Sequence, residues 1–370
     1  MKVYFPKLDT LRFFAFLIVF ISHIFFFLFD ASQSTVFWQK YGSKIFGHGE
    51  VGVHIFFTLS GFLIMFLALK ELQKNSSFSV AGFFKRRILR IWPLYFLVLS
   101  VGFLISNVPE QVTGCFNKFW YFLGNTCVAQ VSALSSLEVH TITPLWSISV
   151  EEQFYIVFPF LFLYFAWSIK NRFPFRKLII AIIAVSLILF SFLMRYINAD
   201  NWSYISYATA SVLPSLFAGI GLGYVVYRKK DTYIARIQKK SKRWFLTATL
   251  LFFSALYLKY QGSVGVALYI APLACATGIW ICLGIKDSSN MNTVDDTRLK
   301  PIVYLGKISY GLYVYHMFMM VFVNKVFSTI PGSMSSLTLV IAKAVVVFST
   351  TVLIAHLSYR YVEKWFLSFK

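Results

Sequence analysis

An all-α, polytopic integral membrane protein of about ten transmembrane helices, with both termini cytoplasmic, is the fold class this sequence predicts. Three observations carry the prediction. First, 58% of the 370 residues are hydrophobic and 13% are charged, against roughly 45–50% and about 25% in an ordinary soluble domain. A water-exposed globule of this composition would display aggregating apolar patches, and a disordered chain needs the opposite bias. Second, ten apolar runs recur along the chain, near 13–29, 51–69, 91–106, 145–167, 178–194, 210–227, 244–260, 264–285, 302–324 and 336–358. Most of them have the roughly 17–25 residues that a spanning helix needs, and the 91–106 run is the shortest. Third, the basic residues alternate. Of 35 Lys and Arg, 28 fall in the segments 1–12, 70–90, 168–177, 228–243, 286–307 and 359–370. The opposite set of segments holds Lys40, Lys44, Lys118, Arg195, Lys259 and Lys325, and Lys343 lies within the last run. That asymmetry is the positive-inside pattern.

The same alternation explains most of the net charge of +21. Basic residues spread over every other loop make no nucleic-acid groove, so no nucleic-acid partner is expected. The densest stretch, RKKDTYIARIQKKSKR at 228–243, reads as an orienting loop against lipid headgroups. One transmembrane domain over 1–370, with no separate soluble domain, is the expected organisation.

Taken in order, the runs carry polar residues that lipid disfavours, and such residues are functional candidates. The first run follows Lys2, Lys7 and Arg12. It is longer than a signal-peptide core and no small-residue cleavage site follows, so it reads as a retained helix. Arg12 and His23 are eleven residues apart, about three turns plus 20°, which puts both on one face about 16 Å apart along the axis. The second run opens with His48, Glu50 and His54 and contains Ser60-Gly61, a small pair suited to close helix approach. The third begins in KRRILRIWPLY, 85–95, where Arg86, Arg87 and Arg90 cluster at helical spacing. Guanidinium forks suit phosphate oxygens.

The loop after it holds Cys115 and Cys127. An oxidising outer face would permit a bridge, and two separate thiols fit the sequence equally well. The fourth run places Glu151 and Glu152 in an apolar segment, diverging by about 100°, so at most one points squarely at a given site. Cys275 and Cys282 share a helix about 10 Å apart, too far to bond each other. In the ninth run Ser309, Tyr313 and His316 form one stripe. No Cys/His spacing resembles a metal site, and no metal is expected. Together these residues suggest a route across the bilayer, with a polyphosphate donor anchored on the inner side and a general base nearer the outer side.

Six segments then resemble, in order, the motifs of the integral-membrane acyltransferase-3 family, the bacterial polysaccharide O-acyltransferases. They are LDTLRFFAFLIVFISH (8–23), GVHIFFTLSGFLI (52–64), KRRILRIWPLYF (85–96), PLWSISVEEQFYIVFP (144–159), GKISYGLYVYH (306–316) and YRYVEKWF (359–366). Two departures stand out: His54 occupies a position often acidic in relatives, and Trp365 one that is often proline. The second acidic position of the fourth motif is often not acidic, which favours Glu151 over Glu152. Many relatives carry an extra esterase-like domain, for which this chain leaves no room.

The resemblance implies transfer of an acetyl or other acyl group from cytoplasmic acetyl-CoA to a hydroxyl of an extracytoplasmic or lipid-linked polysaccharide such as O-antigen, in a bacterial cytoplasmic membrane. Arg86, Arg87, Arg90 and Arg12 would hold the donor's nucleotide and phosphates. His23 would be the general base, with Glu151 orienting it or stabilising its protonated form. Tyr313, Ser309, His316 and Glu152 would contact the substrates. The expected partners are the acyl-CoA, the glycan acceptor and membrane lipids. A transporter or flippase of a lipid-linked saccharide is the alternative, since it too places polar residues at mid-membrane.

Overall fold

The computed structural model describes residues 4–28, 42, 46–105, 110–128, 130, 137–170, 176–285, 300–328 and 336–370. Lys40, Lys44 and most of the 286–307 segment lie outside these. Each of the ten apolar runs falls on helix, and no strand occurs among the described residues. The helices are α1 (Pro6–Leu28), α2 (Gly49–Asn75), α3 (Val80–Ile105), α4 (Glu110–Trp120), α5 (Leu145–Lys170), α6 (Arg176–Ile197), α7 (Trp202–Tyr207), α8 (Thr209–Lys239), α9 (Ser241–Leu258), α10 (Gly262–Leu268), α11 (Ile270–Gly284), α12 (Lys300–Lys307), α13 (Ser309–Ser328) and α14 (Ser336–Ser358). A π-helical turn, Tyr359–Glu363, and the short α15 (Lys364–Leu367) follow.

Seven described segments are long and apolar enough to cross a membrane: 6–27, 49–75, 80–105, 145–168, 202–228, 262–284 and 338–367. Three further runs are also helical. The run near 178–194 lies on α6. Helix α9 begins with Lys242 and Arg243 in its first turn. The run near 302–324 is divided at Ile308 into α12 and α13. Pro93, Pro159 and Pro214 lie inside helices, as spanning helices tolerate when neighbours satisfy the freed carbonyls.

The chain forms two compact units. One comprises Met1–Leu11, His54–Phe83 and Val150–Thr293, the other Arg12–Val53, Phe84–Ser149 and Val294–Lys370. The first unit packs α2 closely on α8. A Cβ at Gly61 would overlap the Leu216 carbonyl, and one at Gly219 the Thr58 carbonyl, so the small residues expected to allow helix approach do so here. The unit is pinned further by Arg195, which counts by sequence as an outer-segment cation but is fully buried. Its guanidinium donates to the Val266 carbonyl (2.9 and 3.1 Å), the Ser211 carbonyl (3.2 Å) and hydroxyl (2.5 Å), and lies 4.8 Å from the Tyr269 ring centre. A cation away from water needs such acceptors, and backbone carbonyls supply them.

In the second unit, α13 and α14 meet at Gly311, where an added Cβ would press on Ala355 and the Glu363 carboxylate. Tyr315 donates to the Ser358 hydroxyl (3.1 Å) and Tyr304 pairs with His356 (2.6 Å). Helix α3 is tied to α4 through Tyr95, whose hydroxyl donates to the Phe119 carbonyl at 2.7 Å. Cys115 and Cys127 are bonded to each other, which resolves the choice between a bridge and two thiols.

Candidate active site

The polar residues of the second unit converge along α13. Its first turn reaches the arginine-bearing helix: the Tyr310 hydroxyl donates to the Ile91 carbonyl of α3 at 2.8 Å. In the same region the buried Glu363 carboxylate feels the charge of Arg90. The KRRILRIWPLYF and YRYVEKWF segments therefore lie within electrostatic reach of each other, a proximity that the sequence alone did not reveal. Arg86 and Arg90 are exposed and Arg87 is partly buried.

Six residues further along α13, about 9 Å along the helix axis, the fully buried His316 meets His23 of α1. His23 Nδ1 and His316 Nε2 are 2.8 Å apart. The ring centres are 5.0 Å apart and the planes within 4° of parallel. Face-to-face stacking would hold the nitrogens at the ~3.5 Å thickness of a ring or beyond, so the imidazoles lie edge to edge in a common plane. On its other side His316 Nδ1 is 2.6 Å from the Tyr313 carbonyl. Phe16 packs edge-on against the His316 ring (5.9 Å) and Phe27 against the His23 ring (5.9 Å). His23 itself is only partly buried.

Local packing sets this position. Helix α2 starts against α1 through two glycines. A Cβ at Gly52 would overlap the Ala15 carbonyl, and Gly49 sits on Ser22, the neighbour of His23. Tyr313, one turn before His316, is fixed by the start of α5. Its hydroxyl is 2.9 Å from the Ser147 hydroxyl and donates to the Pro144 carbonyl at 3.1 Å. Ser309, also buried, shares the stripe two turns from His316 but makes no hydrogen bond to it among the described residues.

Glu151 belongs to the first unit, and both its oxygens are engaged there. The Ser60 hydroxyl donates to Oε1 (2.6 Å) and the Tyr155 hydroxyl to Oε2 (3.0 Å). Glu152, the next residue, is buried at 4% exposure. The imidazole of His23 is held by His316. Sequence reasoning also passed over Ser147, although it stands in a quoted motif, and His140, which is buried with its ring 5.0 Å from Phe27, the same ring that packs on His23. Among the described residues no group of three or more His, Cys, Asp or Glu could hold a metal ion.

The fold and site thus define a multi-pass helical membrane protein with an imidazole pair and an arginine cluster joined by one helix. The chain belongs to the acyltransferase domain family, whose model matches residues 5–360. It is 26% identical to the O-acetyltransferase OatA of Staphylococcus aureus (strain NCTC 8325 / PS 47) over 97% of this chain and 57% of that protein. It is likewise 26% identical to the peptidoglycan O-acetyltransferase OatA of Listeria monocytogenes over 98% of this chain and 56% of that one. The chain therefore spans little more than half the length of these curated relatives. No solved structure matches it.

Proposed function

We propose that this protein is a membrane O-acyltransferase that moves an acetyl or similar acyl group from a coenzyme A thioester to a hydroxyl of a glycan. The observation that carries the reading is the course of α13, which touches the arginine helix at one end and presents His316 to His23 about 9 Å further along. A charged donor and a proton acceptor would then lie one to two turns apart along one rigid element. Arg86, Arg87 and Arg90, with Arg12 on α1, would bind the donor's phosphates, for which guanidinium forks are suited. His23 would take the proton of the attacking hydroxyl. A sugar alcohol is a poor nucleophile at neutral pH, and such a base is worth about 10²–10⁴ in rate.

The two relatives named above act, by their names, as O-acetyltransferases, one of them on peptidoglycan, which supports acetyl as the group and a cell-envelope glycan as the acceptor. O-antigen and lipid-linked glycans belong to the same chemical class. The positive-inside pattern supports a cytoplasmic donor side, about ten crossings, both termini inside, and the bacterial cytoplasmic membrane as the location.

The test uses the purified full chain in lipid nanodiscs with radiolabelled acetyl-CoA and a panel of glycans. Acetyl ester formation on one of them is the expected result. Replacing Arg86 and Arg90 together by Ala should raise the apparent KM for the donor about tenfold or more, each lost charge-assisted contact being worth about 1.5–3 kcal/mol. Unchanged donor binding would leave the cluster as a topology signal only, and glycan movement without acyl-CoA would favour a transporter.

A further inference from the structure

We infer that His316 is a positioning residue that locks His23 in the tautomer with a proton on Nδ1, leaving Nε2 as the basic nitrogen. The inference deepens the acyl-transfer reading and rests on it. The argument follows the hydrogen atoms. A peptide carbonyl only accepts hydrogen bonds, so the 2.6 Å contact between His316 Nδ1 and the Tyr313 oxygen requires the proton on that nitrogen. In a neutral ring the other nitrogen, Nε2, then carries a lone pair. It faces His23 Nδ1 at 2.8 Å, in the ring plane where that lone pair points. His23 Nδ1 must therefore donate. Its Nε2 is left with a lone pair, and among the described residues no hydrogen bond occupies it.

The two rings differ in access in the sense this role needs. His316 is 0% exposed, while His23 is partly exposed. The sealed ring is anchored on its own helix backbone, and the open ring depends on it. Generally, a base is oriented by a third group; here that group is a neutral imidazole backed by a carbonyl.

The chemistry balances. The acceptor hydroxyl oxygen bonds to the thioester carbon as its proton passes to His23 Nε2. The carbon–sulfur bond then breaks, and the departing sulfur takes that proton back, giving ester and free thiol. Between these events His23 is protonated on both nitrogens, and its Nδ1–H remains bonded to the His316 lone pair.

Two measurements on the purified full chain decide the matter. The first is the ¹⁵N spectrum of histidine-labelled protein, with His23 assigned by its loss in His23→Gln. The Nδ1–H tautomer is expected for wild type and a tautomer mixture for His316→Phe. The second is transfer kinetics. His316→Phe should lower kcat about 100-fold or more, since a wrong tautomer has cost ~10⁴-fold elsewhere, with the donor KM little changed. His316→Gln should recover part of the loss, because its carboxamide oxygen can accept from His23 Nδ1. An Nε2–H tautomer in wild type, or wild-type kcat in His316→Phe, overturns the inference. Absence of acyl transfer by the wild-type chain would instead overturn the functional reading, and the spectrum is read without turnover.

Discussion

His23 and His54 are both histidines within apolar helices, one in each unit, and they are built differently. His54 is 2% exposed, its Nδ1 is 2.9 Å from the Ser215 hydroxyl, and its Nε2 faces the Tyr269 hydroxyl at 3.5 Å. Beside it, Tyr269 carries the guanidinium of the fully buried Arg195. Every polar edge of that cluster is turned toward another part of the protein. His23 has one nitrogen held by His316 and, among the described residues, the other open, on a partly exposed ring. The difference teaches that depth in an apolar helix does not mark a reactive histidine. What marks it is a hydrogen-bonding edge left unused beside a group that fixes the rest of the ring.

The comparison is broken most sharply by His23→Ala. Acyl transfer should fall by about 10²–10⁴, with the protein accumulating in the membrane and melting as wild type does. Measurable wild-type turnover would remove His23 from the chemistry. The converse variant is Arg195→Met, in which several buried carbonyl contacts vanish together. Stability should fall by about 3 kcal/mol or more, seen as a lower melting temperature in detergent or nanodiscs. A melting temperature equal to wild type would mean that the carbonyl cage around Arg195 contributes nothing. His54→Ala should give the smallest change. A loss of about 1–3 kcal/mol is expected from the orphaned hydroxyls and the vacated volume, with turnover per folded molecule unchanged. A large fall in that turnover would make His54 a second reactive histidine and dissolve the distinction.

The helices were legible because lipid imposes a simple rule of length and apolarity, and every apolar run is helical in the structure. The stripe of Ser309, Tyr313 and His316 and the shared face of Arg12 and His23 follow from helical periodicity alone. The pairing of His23 with His316 did not follow, because 293 residues separate them and periodicity says nothing about which faces meet. The surroundings of Arg195 did not follow either. Counting charges by segment gives a side of the membrane and no contacts, and Arg195 is enclosed by backbone oxygens of α8 and α10. Ser60 looked like a spacer for helix packing. Its neighbour Gly61 fills that role, and Ser60 holds Glu151.

The Cys115–Cys127 bond offers a compass for the whole chain. A protein disulfide persists in an oxidising compartment and is rare in the cytosol. Three long apolar helices, α1 to α3, precede the pair among the described residues; where each crosses once, the pair and the start of α1 lie on opposite faces. The redox state of two thiols, read by a maleimide mass shift in intact membranes with and without reductant, therefore reports which way the chain is inserted. That reading owes nothing to the counting of lysines and arginines.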